Sequence, residues 1–137
     1  MDRPNWVLDT NVIVSAALSP AGICAELVRM ATEGKFTLAW DNCILREYRD
    51  VLQQPKFKIS EPVVASLLGS LPASGFHQAE NKAYGLPDVD DEALVSVALA
   101  TRDKTIVTGN RKHFPAEILA PMGIKVLSPR EAIDLLA

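Results

Sequence analysis

The chain has 137 residues, enough to bury one core and too few for several domains. Its 48% hydrophobic content excludes a disordered chain, and its apolar runs fall short of the roughly 18 to 20 residues that span a bilayer. A formal charge of −3 argues against a protein that grips nucleic acid by bulk positive field, but not against an enzyme whose surplus carboxylates bind cations.

The N-terminus shows no basic region followed by an apolar one, so no secretory leader is expected. Met1 to Asn5 leads into Trp6-Val7-Leu8, which reads as a short buried strand, and Val12-Ile13-Val14 begins a helical turn. Pro20-Ala21-Gly22 breaks the chain. Cys24, Leu27, Val28 and Ala31 then have helical spacing, with Gly34 as the terminating glycine. Phe36 to Trp40 is the second expected strand. Ile44, Leu45, Tyr48, Val51 and Leu52 mark a third helix, stopped by Pro55. Ser60 is the expected N-cap of a helix through Leu71, with Pro62 in its first turn, and a weak strand is expected around Phe76.

Asp91 to Ala100 is apolar on nearly every side, so this helix is expected to be buried. Thr105 to Thr108 is a strand followed by a Gly109-Asn110 turn, and Ile124 to Leu127 is the last strand. Ser128-Pro129-Arg130-Glu131 reads as a capping box opening a final helix over Ala132 to Leu136. Five strands alternating with helices predict a single α/β domain, residues 1–137, around a mainly parallel sheet. Cys24 and Cys43 form no CxxC and have no paired histidine nearby. Two reduced thiols in a cytoplasmic protein are expected, not a metal–thiolate site.

In open parallel sheets, ligands sit beyond the carboxyl ends of the strands. Asp9 follows the first strand there and Asn110 follows the strand ending at Thr108. Asp88, Asp90, Asp91 and Glu92 crowd the start of the buried helix, and Glu47 lies on the border of the third helix's apolar stripe. Each has an ordinary reading: a turn former, a helix-dipole acid, a boundary residue, a turn asparagine. Brought to one crest, the carboxylates would repel without a cation, and all-oxygen ligands suit Mg²⁺ or Mn²⁺, not Zn²⁺. His77 and His113 read as surface or structural residues.

The segments "VLDTNVIVSAALSP", "ILREYRDVLQQPKF", "DVDDEALVSVALA" and "IVTGNRKHFP" follow one another as in PIN-domain proteins. The chain resembles the bacterial branch of toxin components of toxin–antitoxin pairs, related to the VapC-like ribonucleases. The resemblance implies an α/β/α sandwich and an acid cluster that binds one or two Mg²⁺ or Mn²⁺ ions to cut RNA by metal-activated water. By motif, Asp9, Glu47 and Asp91 match the catalytic, metal-binding acids. Asp88 is a close alternative to Asp91 or a further ligand, and Asp90 and Glu92 share the ambiguity of the acid run. Thr10, Asn11, Ser15 and Thr108 match supporting or phosphate-contacting positions. Asn110 stands where many relatives carry Asp, which implies a weaker second metal. Arg111 and Lys112, directly after it, are the expected phosphate contacts, with the Arg46, Arg49, Lys56, Lys58 and Arg102, Lys104 stretches behind them.

The implied partners are RNA, an antitoxin protein and a second copy of the chain, with no membrane. The alternative is a PIN-like module that binds RNA or a partner without cutting. A phosphatase with an aspartyl nucleophile is disfavoured, because Asp9-Thr10-Asn11-Val12-Ile13 lacks the second Asp of D-x-D-x-T.

Overall fold

Trp6, Val7 and Leu8 are all buried in β1 (Asn5–Leu8), as a central strand covered on both faces requires. The computed structural model describes residues 3–80 and 82–137. Beside β1 lie β2 (Thr37–Leu38) and β3 (Thr105–Val107), and β4 (Lys125–Leu127) pairs with β3. The order is β2-β1-β3-β4 and every pairing is parallel, with Trp6 opposite Leu38 and Thr105, and Val107 opposite Leu127.

The sheet thus has four strands, not the five expected. The segment around Phe76 touches the sheet edge at one residue only, an isolated parallel bridge to Trp40. A 3₁₀ turn, Ala73–Gly75, delivers it there. Gly75 sits so tightly against β2 that an added Cβ would lie 1.9 Å from the Leu38 carbonyl oxygen. The ladder consists of Trp40 N–H to the Gly75 carbonyl and His77 N–H to the Trp40 carbonyl. β2 is correspondingly shorter than the expected Phe36–Trp40 strand.

Helices flank the sheet. α1 (Thr10–Leu18) leaves β1 directly, and α2 (Ile23–Thr32) packs against it. α2 ends in a Schellman motif: Gly34, at φ 81°, donates to Ala31, and Lys35 donates to Met30. α3 (Asn42–Leu52) is capped by Asp41, whose Oδ1 accepts from the Ile44 amide at 2.9 Å. α4 (Glu61–Gly69) begins after Ser60, but Ser60 contributes its carbonyl and not its side chain to the cap.

A 3₁₀ turn, Val89–Asp91, leads into α5 (Glu92–Ala100), which is buried nearly all round and packs on β1 and β3. α6 (Ala116–Leu119) is a single turn before β4. α7 (Pro129–Leu136) carries the expected capping box between Ser128 and Glu131. The core joins Val7, Leu8, Ile106 and Val107 of the sheet to Ile44, Tyr48 and Leu52 of α3 and Leu94, Val95 and Val97 of α5. Among the described residues, no single helix is long and apolar enough to cross a membrane.

Candidate metal centre

The chain runs from β1 to β2 on one side and reaches β3 on the other, so the crest between β1 and β3 is the sheet's topological switch point. Asp9 stands there. Its amide donates to the Val107 carbonyl at 2.9 Å, continuing the strand pairing by one residue. Its side chain, in a residue only 2% exposed, accepts a 2.7 Å hydrogen bond from Thr108 Oγ1. Thr108 Oγ1 in turn accepts from the Asn110 amide at 2.9 Å, which fixes the direction of the hydroxyl proton.

Burial raises the Asp9 pKa. The Thr108 hydroxyl, the Asn11 amide, His113 and the Thr10 amide oppose the rise. Both amides belong to the first turn of α1, although neither closes a side-chain cap. α3 is tied to the same crest, because the buried Tyr48 hydroxyl donates to the Leu8 carbonyl. That anchor sets the half-buried Glu47 beside the acids, and its pKa is raised by burial and then by Asp90, Asp50, Asp88 and Asp9.

Asp91 is where these influences meet. Burial, then the charges of Asp9, Asp88, Glu47 and Asp90, push its carboxyl up to about 7. His113 Nδ1 lies 3.2 Å from Asp91 Oδ2, an ion-pair distance without hydrogen-bond geometry. That buried oxygen is therefore left without a hydrogen-bond partner among the described residues. Asp88, Asp91 and His113 each offer one ligand atom, and the three atoms lie within 4.8 Å of one another. Asp9 and Glu47 stand outside this trio but within electrostatic reach of Asp91. A buried carboxyl pushed up by the acids around it, with an oxygen that lacks a hydrogen-bond partner among the described residues, fits a divalent cation. Beside them, Arg46, Glu47, Lys82, Val89 and Asp90 line an open cleft of about 420 Å³ that abuts the acids through Glu47 and Asp90.

The sequence model of the PIN domain matches residues 5–112. The chain belongs to the PIN-domain family. PIN domains are generally metal-dependent nucleases, and the acid cluster here agrees with that family trait. A search of curated proteins found none that matches.

Within this PIN domain the ambiguous acid run separates into distinct roles. Asp88 caps the 3₁₀ turn, its Oδ1 accepting from the Asp90 amide at 2.9 Å. Asp91 turns inward, while Asp90 stays exposed on the cleft wall as the largest acidic influence on Glu47. Glu92 faces another way: its Oε2 accepts from the amides of Tyr84 at 2.7 Å and Gly85 at 3.2 Å. It holds the loop that carries Lys82 and Ala83 along the cleft.

Other expected residues lie further off. The exposed Ser15 stands at the α1–α2 contact, where its hydroxyl counters the rise that burial gives the Cys24 pKa. Thr10 and Asn11 meet Asp9 through their backbones. Asn110 enters through its backbone too, donating to Thr108 and accepting from the His113 amide. Arg111 pairs with Glu131 of the α7 capping box, and Lys112 is exposed. Of the surface and structural readings of His113, the structure favours the structural one, since the side chain pairs with Asp91. The 3₁₀ turn Arg111–His113 swings it back toward Asp91. Its only sequence signal was its place three residues after Asn110, within reach of one tight turn.

Proposed function

We propose that this PIN domain is a metal-dependent endoribonuclease, the toxin component of a toxin–antitoxin pair, acting in the cytoplasm as a homodimer. The observation that carries the nuclease reading is the buried Asp91 Oδ2, without a hydrogen-bond partner among the described residues and surrounded by the charges of Asp9, Asp88, Glu47 and Asp90. Asp91, Asp88 and Asp9 would hold a divalent cation, with Glu47 completing the site directly or through water. When bound, Mg²⁺ or Mn²⁺ lowers the pKa of a coordinated water and neutralises charge on the phosphoryl oxygens. Thr108 holds Asp9 in one orientation, and the α1 amides favour its ionised form. Arg46 and Lys82, on the cleft wall beside Glu47, would take RNA phosphates, Lys82 leaving its pairing with Glu80. Lys112, on the turn after β3, would extend that track.

We read residues 1–137 as one nuclease domain, because β4 pairs with β3 and α7 packs on α2 beyond the family match. The free cysteines Cys24 and Cys43 support the cytoplasmic placement. A second reading, a PIN module that binds RNA or a partner without cutting, is favoured by one feature: a neutral Asn110 in the fourth motif. The deciding experiment incubates the purified protein and its Asp9→Asn variant with structured RNAs and Mn²⁺, with and without EDTA. EDTA-sensitive cleavage by the wild type alone is expected. RNA retention without cleavage would select the binding module.

A further inference from the structure

We propose that His113 is a metal ligand, its Nδ1 joining Asp91 and Asp88 at the cation site and biasing that site toward Mn²⁺ over Mg²⁺. The inference rests on the metal-dependent reading above and adds a nitrogen donor to an otherwise oxygen set.

The geometry suits it. Nδ1 and Asp91 Oδ2 are 3.2 Å apart yet form no hydrogen bond. Adjacent ligands of an octahedral ion, with bonds of about 2.1 Å, are separated by roughly 3 Å. The observed spacing fits two donors that share an ion, and the missing hydrogen-bond geometry sets it apart from a donor and acceptor that satisfy each other. The Asp91 side chain is 10% exposed, so the unpartnered oxygen is a buried one aimed into the trio. Metal binding would satisfy it.

The backbone of the turn that carries the imidazole is also held in place. The His113 amide donates to the Asn110 carbonyl, and the Phe114 amide donates to the Arg111 carbonyl. Phe114 is buried, and Arg111 is tied to Glu131. Both ends of the turn are thus pinned, and a pinned ligand loses little freedom on binding. Imidazole suits transition metals, whereas Mg²⁺ prefers oxygen donors and retains its waters. A nitrogen here should therefore separate two ions that an all-oxygen site would treat more alike.

The test needs no RNA. Protein carrying ¹⁵N-labelled histidine is loaded with Mn²⁺ and examined by pulsed electron paramagnetic resonance for nitrogen coupling. Mn²⁺ and Mg²⁺ affinities are measured by calorimetry for wild type, His113→Gln and His77→Gln. The wild type and His77→Gln should show the ¹⁵N coupling, and His113→Gln should lose it. His113→Gln should bind Mn²⁺ about tenfold more weakly or worse while Mg²⁺ affinity changes by less than about threefold, since Gln supplies only an oxygen donor. Thermal melts in EDTA check that the variants fold.

Bound Mn²⁺ without nitrogen coupling, or equal losses for the two ions, overturns the assignment and leaves the nuclease reading intact. Nitrogen coupling in a protein that cuts no RNA does the reverse. Failure to bind either ion overturns both.

Discussion

Asp91 combines burial with like charge, and this sets the pH behaviour of the metal-free protein. A carboxyl whose folded pKa is raised to about 7, from an ordinary 3.8, favours folding while it is protonated. That contribution is fully present below the ordinary value and is lost as pH rises through the folded one. In EDTA, the melting temperature of the wild type should fall as pH is raised from about 4 to about 7, and Asp91→Asn should flatten the decline. Saturating Mn²⁺ should flatten it too, since the ion keeps the carboxylate charged at less cost. Superimposable wild-type and Asp91→Asn pH profiles in EDTA would show that Asp91 is not the group responsible.

Asp9→Asn tests the same crest from the other strand. Burial disfavours the charge of Asp9, so the neutral amide should raise metal-free stability. It should also shrink the rise in melting temperature that Mn²⁺ produces by ligand linkage. A variant less stable in EDTA and as responsive to Mn²⁺ as the wild type would contradict both expectations. Asp9 was legible in the sequence only together with the other acid motifs, because alone a carboxylate after a strand is ordinarily a turn former. His113 was not, because its approach to Asp91 depends on a three-residue turn and on a helix start far away in the chain.

α5 and the loop it holds form a working pair. Glu92 accepts two amides from Tyr84 and Gly85, and the Tyr84 hydroxyl meets Ser96 Oγ one turn further along α5 at 2.9 Å. Glu92→Ala should cost about 1 to 3 kcal/mol by orphaning those amides. It should also speed amide hydrogen exchange at Tyr84 and Gly85 before it affects β1. Slow exchange there in the variant would mean that another contact holds the loop.

Gly75 is the corresponding point at the sheet edge. Any Cβ collides with the Leu38 carbonyl, so Gly75→Ala should destabilise by about 1 to 3 kcal/mol or more, measured by urea unfolding. Periodicity exposed α2, α3, α5 and the capping box of α7, because local spacing decides them. It overstated the strand at Phe76, since pairing there is limited by how closely two backbones approach. It also missed the Asp41 cap and the single turn of α6, features too short to carry a period.

The family match ends at Lys112, but the fold does not. Leu119, Ile124, Ala132 and Ile133 are buried in the common core, and β4 covers the outer edge of β3. A chain truncated after Lys112 should therefore lack a cooperative melting transition by circular dichroism. A sharp transition in that fragment would limit the folding unit to the matched residues. The bond from Thr108 to Asp9 joins positions 99 residues apart, and it sits at the heart of the acid crest. Pairings of such long range close late in folding. During synthesis, Asp9 and Glu47 emerge from the ribosome well before the strand that organises them. An unfinished chain thus carries these acids without the arrangement that gathers them, so the candidate metal site is assembled only once β3 is in place.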